Sequence, residues 1–145
     1  MSDNGNVPKS LQTIMDTFKS APKPLRLQLL LEYSKKVPPL PEHLAGQRDQ
    51  MEQVHECQTP FFVATEFEND RVTFHFDAPA EAPTTRGFAG ILSEGLSGES
   101  AEAILATPSD FYNSMGLGEV ISPLRLRGMS AIIGRLKRQV QEHRA

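Results

Sequence analysis

The chain has 145 residues, 39% of them hydrophobic and 23% charged, and a formal net charge of −3. That length suits one domain around one packed core, and the composition excludes disorder, collagen-like repeats and coiled coil as descriptions of the whole chain. No apolar run approaches the roughly 20 residues of a membrane span, Met1 to Ser10 lacks the apolar region of a signal peptide, and no overall basic excess exists to hold nucleic acid. The lone cysteine excludes an internal disulfide and makes a cytoplasmic location the default. The expected organisation is a single domain over 1–145, with a flexible tail over 1–9.

Leu11, Ile14, Met15 and Phe18 recur at i, i+3, i+4 and i+7, the stripe of an amphipathic helix. Ser10 is placed to cap it, and Pro22 and Pro24 end it. A second helix is expected from about Pro24 to Lys36 with Leu27, Leu30 and Leu31 inward, stopped by Pro38 and Pro39. Val37 to Gln53 reads as a proline-interrupted loop. Thr59 to Phe67 is then rich in β-branched and aromatic residues, and Arg71 to Phe76 alternates strictly. Val72, Phe74 and Phe76 share one face; Arg71, Thr73 and His75 share the other, exposed to solvent. Glu68-Asn69-Asp70 is turn chemistry, so the two runs form a β-hairpin.

Helix returns with Phe88, Ile91, Leu92 and Leu96 on one face, followed by a short helix over Ser100 to Ala106. Thr107-Pro108-Ser109-Asp110 opens a further helix that ends at Gly116-Leu117-Gly118. Ser122-Pro123 opens the last, striped by Met129, Ile132, Ile133, Leu136 and Val140. The order αα, ββ, αααα predicts an α+β domain, a small antiparallel sheet packed on one face by the N- and C-terminal helices.

Charge is unevenly placed. Residues 40–85 hold nine acids against two bases, and residues 121–145 hold six bases against one acid. Such stretches either orient a partner or face each other within the fold.

Cys57 is the one side chain able to act as a strong nucleophile at neutral pH without elaborate activation. It lies in Val54-His55-Glu56-Cys57-Gln58-Thr59-Pro60, at a junction of loop and strand, where polar neighbours favour the access a reactive thiol needs. His55 is about 7 Å away along an extended chain, too far for a direct hydrogen bond unless the backbone turns. Glu56 opposes thiolate formation if it points the same way. The four histidines (His43, His55, His75, His143) and Cys57 show no paired ligand spacing, so no metal site is expected. Two readings stand on these residues alone: a thiol peroxidase or hydrolase using Cys57 with His55, and an interaction domain with an inert cysteine. No convincing base is at hand for the first.

Val54-His55-Glu56-Cys57-Gln58-Thr59 resembles the cysteine motif of SufE-type proteins, sulfur acceptors for cysteine desulfurases in iron–sulfur cluster biogenesis. Leu25 to Pro41, Arg86-Gly87-Phe88-Ala89-Gly90-Ile91-Leu92 and Ser122-Pro123-Leu124-Arg125-Leu126-Arg127-Gly128-Met129 resemble other stretches of the family in the right order. The resemblance implies a SufE-like fold and a persulfide carried on Cys57. Its implied partners are a SufS-type cysteine desulfurase and, downstream, an iron–sulfur scaffold; no cofactor is expected in the chain itself. Arg125 matches the family's arginine. Arg86 stands at the start of the helix after the sheet, and Glu81 falls where the family carries an acid, normally aspartate. All three are expected near the thiol or its partner. Two departures are visible: the family's glycine before the cysteine is Glu56 here, and the acid is Glu81. Phe61 or Phe62 is expected to shelter the thiol.

Overall fold

Four short strands and five helices enclose one cluster of buried apolar side chains, described over residues 7–144 of a computed structural model. In chain order they are α1 (Lys9–Ser20), α2 (Lys23–Tyr33), β1 (Glu52–Gln53), β2 (Phe62–Glu68), β3 (Arg71–Asp77), α3 (Pro83–Gly95), β4 (Glu99–Ser100), α4 (Ala101–Ala106) and α5 (Pro123–Arg144), with several single 3₁₀ turns between them. The sheet is antiparallel throughout, in the order β1-β2-β3-β4. Most of the expected tail lies outside the described residues; of its remainder, Pro8 is buried and Lys9 opens α1.

Alternation decides which face of the sheet is buried. Val63, Thr65 and Phe67 stand opposite Phe76, Phe74 and Val72, and this face meets the helices. The other face carries Glu66, His75 and Asp77, and the segment before β1 folds over it. Arg48 donates to Asp77 at 2.9 Å and its guanidinium lies over the Phe62 ring at 4.6 Å, while His43 bonds Glu66. His75 is therefore not the plain solvent-facing residue expected. It bonds the other oxygen of Glu66 at 2.8 Å, and its side chain is only 16% exposed.

Helix α3 is the centre of the helical layer, touching α1, α2, α5 and β3. Glycines set how close α2 comes. A Cβ on Gly87 would stand 2.5 Å from the Leu30 carbonyl oxygen, and one on Gly90 would overlap the Tyr33 carbonyl. Backbone therefore packs on backbone at these two positions, where a side chain would have to be interposed otherwise.

Several expectations change at this level. Leu27 is 40% exposed rather than inward, because Arg26 takes the inward place one turn before Leu30. Its guanidinium bonds the Ala21 and Gly116 carbonyls and pairs with Glu119 at 3.2 Å. Ser10 lies inside α1 rather than capping it, and its hydroxyl donates to the Gly95 carbonyl at 2.9 Å, tying α1 to α3. The helix expected from Thr107 is instead two 3₁₀ turns, Phe111–Met115 and Leu117–Glu119. Thr107 closes α4, its hydroxyl donating to Ala103 at 2.9 Å, so it is not free to cap the next turn. The opening of α5 is as the sequence predicts, with Ser122 Oγ accepting from the Arg125 N–H at 3.3 Å. No helix among the described residues is long and apolar enough to cross a membrane.

Two glycine substitutions test this packing. Gly90→Ala forces α2 and α3 apart and is expected to lower unfolding free energy by about 3 kcal/mol. Gly134→Ala, exposed in mid-α5 with nothing within 4 Å of the added carbon, is expected to raise it by about 0.5–1 kcal/mol. Urea denaturation of both variants checks the contrast.

Candidate functional site

The ladder of β1 and β2 continues one step past the strand ends, where the Val54 N–H donates to the Phe61 carbonyl at 2.8 Å. The chain between them, residues 55–60, must therefore loop out. Pro60 has no N–H to extend the ladder, so regular pairing on β2 starts at Phe62 rather than at Thr59. Within the loop the Cys57 N–H turns back to the Val54 carbonyl at 3.2 Å, so Cys57 closes a tight turn over residues 54–57.

The loop lies against the first turns of α5. The Cys57 thiol donates to the Gly128 carbonyl at 3.9 Å, a long contact of the kind sulfur makes. A Cβ added to Gly128 would sit 3.5 Å from the Cys57 sulfur and 3.9 Å from the Glu56 carbonyl oxygen. A methyl group just fits there; anything longer would press on the thiol. Beside this contact opens a cavity of about 230 Å³, lined by Glu56, Cys57, Gln58, Thr59, Thr85, Phe88, Leu124, Arg125 and Gly128. Its rim carries an exposed apolar side chain, Leu124, next to the exposed cation Arg125.

Burial governs the thiol's acidity. Taking Cys57 out of water disfavours its anion, and the neighbouring Glu56 charge adds to that; Arg135 acts in the opposite direction but does not prevail. The thiol is pushed up to about 11 and is protonated near neutral pH. Glu56 itself is held below the usual carboxylate range, first by its own backbone N–H and then by Arg135, which grips it at 3.0 Å. The same arginine reaches Glu52 of β1 at 3.0 Å, and Arg138 and Gln139 also bond Glu52. Here the acids of the middle segment and the bases of the last helix do face each other.

The expected site residues are thus distributed unevenly. Cys57 and Arg125 line one cavity. Arg86 spans two carbonyls instead, Ser34 at 3.0 Å and Ala78 at 2.5 Å, and so ties the ends of α2 and β3 to α3. His55 is exposed, and its charge acts on Glu56 rather than on the sulfur. Glu81 is exposed in the turn before α3. Phe61 is buried against Phe76 and Phe62 lies under Arg48 on the far face, while the hydrogen-bonded contact on the thiol is the α5 backbone at Gly128. Thr85, Phe88, Leu124 and Arg135 were not legible as site residues. The charge asymmetry between residues 40–85 and 121–145 was the one signal that pointed to Arg135. No group of three His, Cys, Asp or Glu among the described residues is placed to hold a metal ion.

Fold and site together define a small α+β protein whose only thiol is kept at the mouth of a cavity, hydrogen-bonded to a backbone carbonyl. Residues 12–140 match the family described as "SufE: Fe-S metabolism associated domain". The chain belongs to the SufE family, sulfur-acceptor proteins of iron–sulfur metabolism. It is 48% identical over 143 residues to an uncharacterized SufE-like protein of Mycobacterium tuberculosis, covering 98% of this chain and 99% of that protein. It is 24% identical to the cysteine desulfuration protein SufE of Plasmodium falciparum, over 93% of this chain and 55% of that one. The solution structure of a hypothetical protein from Thermus thermophilus superposes with a TM-score of 0.83 at 51% identity, covering 94% of this chain and 96% of that one.

The acidity of Cys57 is directly measurable. Ultraviolet titration of the thiolate is expected to give a midpoint at about 11, and Glu56→Gln is expected to lower it by removing the like charge. Because the native value lies above the unfolded one, the folded chain holds its proton longer. This group therefore leaves stability untouched below pH 9 and lowers it as pH rises from 9.0 towards about 11. Denaturation midpoints across that window check the sign, with Cys57→Ser as the reference lacking the effect.

Proposed function

We propose that this chain accepts sulfur from a SufS-type cysteine desulfurase, carries it as a persulfide on Cys57, and passes it towards an iron–sulfur scaffold. The observation that carries the reading is the placement of the single thiol in a cavity rimmed by Leu124 and Arg125. Family membership supports it. A lone free thiol in this role suits a reducing compartment such as the cytoplasm.

The transfer balances without an external oxidant. The Cys57 thiolate attacks the outer sulfur of the donor's persulfide, R–S–SH. A bond forms between Cys57 Sγ and that sulfur while the donor's S–S bond breaks, its electron pair leaving with the donor sulfur as a thiolate. The products are R–S⁻ and Cys57–S–SH, and the proton first lost by Cys57 is available to the departing thiolate. This is thiol–disulfide exchange in form. One cysteine suits the task, since a second nearby would displace the persulfide and close a disulfide.

The resting site is poised against premature reaction. With the thiol at about 11, the thiolate fraction at pH 7 is about one part in ten thousand. Reaction requires that the sulfur leave the Gly128 carbonyl and meet either water or positive charge. Docking of a partner on the Leu124–Arg125 rim supplies both the contact and the charge. A thiol peroxidase or hydrolase would need a base on the sulfur, and the bond the thiol makes is to a carbonyl, which cannot take its proton.

Incubation with a cysteine desulfurase and cysteine, followed by mass spectrometry of the intact chain, is expected to show one added sulfur on Cys57 and none on Cys57→Ser. The hydroxyl replaces a thiol of similar shape at a partly buried loop position, so stability should change by less than about 1 kcal/mol. Sulfur uptake by the serine variant overturns the reading. Arg125→Glu reverses the rim charge and is expected to slow sulfur uptake about tenfold at low salt while leaving the melting temperature unchanged.

A further inference from the structure

Glu56 stands directly beside the reacting cysteine, and its carboxylate is gripped by both terminal nitrogens of Arg135, at 3.0 and 3.4 Å. Arg135 lies two helical turns beyond Gly128 on α5, on the same face of the helix. The loop therefore meets α5 at two points, the thiol on the Gly128 carbonyl and Glu56 on Arg135. These contacts are unequal. The thiol bond, at 3.9 Å, is long and weak, whereas the guanidinium fork meets both carboxylate oxygens, which fixes direction as well as distance.

We propose that the Glu56–Arg135 ion pair is a latch that holds the Cys57 loop against α5 and sets how often the thiol opens, which makes Arg135 a positioning residue for sulfur transfer. Its use in transfer rests on the sulfur-acceptor reading above; the latch itself does not. Three observations carry it. Behind the loop, β1 is only two residues long, so the sheet alone holds the loop weakly. The same arginine binds Glu52 at 3.0 Å through Nε, which anchors the fork between strand and loop. Finally, the pair is only partly covered, with Arg135 23% and Glu56 43% exposed. It is open to salt and to competition: an acidic side chain on a partner surface can take Arg135 from Glu56 and release the loop. The pairing also answers the presence of an acid next to a thiol that must ionise, since Arg135 offsets that charge while the loop is closed.

Amide hydrogen exchange of the peptide covering residues 55–59 tests the latch without requiring sulfur chemistry. Glu56→Gln is expected to speed that exchange about two- to five-fold, the range set by a partly exposed ion pair. Raising salt from about 0.05 to about 0.5 M should have the same effect on the unaltered chain and none on Glu56→Gln. Arg138→Gln, which cuts another tie of α5 to Glu52 and leaves Glu56–Arg135 intact, should leave the loop at its native rate. Unchanged exchange in Glu56→Gln overturns the latch, because the pair then restrains nothing. An equal rise in Arg138→Gln also overturns it, because the hairpin then loosens as a whole. Sulfur uptake from the desulfurase is read on the same samples, and Glu56→Gln is expected to take up sulfur faster. Should the unaltered chain take up none, the sulfur-acceptor reading fails while the exchange result still decides the latch.

Discussion

The site depends on one bare stretch of helix. At Gly128 the backbone of α5 offers an unencumbered carbonyl and no side chain, and the loop that carries Cys57 rests on it. A larger residue there would lift the loop, open the cavity wall and place the sulfur in water. With glycine, the helix acts as a lid whose underside is a hydrogen-bond acceptor. The thiol is thereby covered, and that burial, with the Glu56 charge beside it, keeps it protonated. The lid is held in place by the apolar stripe of the same helix, Met129, Ile132, Ile133, Leu136 and Val140, all buried. Core packing and chemical restraint thus come from adjoining faces of a single element.

Electrostatics around the loop follows from that geometry. Burial raises the thiol's pKa, and an acid beside it raises it further, so the resting sulfur is inert to stray oxidants and electrophiles that attack thiolates. A carrier of labile sulfur gains from such inertness only if it can be reversed on demand. The ties between loop and helix are charged and partly exposed, hence soft, while those between α2 and α3 are backbone contacts that cannot yield. Rigid and yielding contacts are segregated: the former hold the scaffold, the latter border the reacting atom.

Much of this was legible in the residues. Periodicity of 3.6 in Leu11–Phe18 and Met129–Val140, and of 2 in Val72–Phe76, located α1, α5 and β3, because each has one buried face and tertiary context agrees with local pattern. The pattern failed where local and tertiary demands differ. Leu27 reads as inward from its neighbours, but a long-range partner, Glu119, draws Arg26 in instead. The two-residue strands β1 and β4 carry no pattern, being defined only by what they lie beside. Cys57 was found from its chemistry and Arg125 from family resemblance. Thr85 and Phe88 were not found, since nothing in a helix stripe says which of its members faces a cavity. His75 misled for a related reason: alternation put it on the outer face correctly, but could not show that His43 and Glu66 would meet it there.

The brevity of β1 has a consequence for the sheet as well as for the thiol. Those two residues are all that pairs with the outer edge of β2, whose strand is rich in the β-branched and aromatic residues that readily recruit a further strand. From Ala64 to Glu68 that edge has no strand beside it among the described residues even while the loop is closed. A partner that docks at the Cys57 loop therefore meets, a few residues from the sulfur, a row of backbone donors and acceptors open to a further strand.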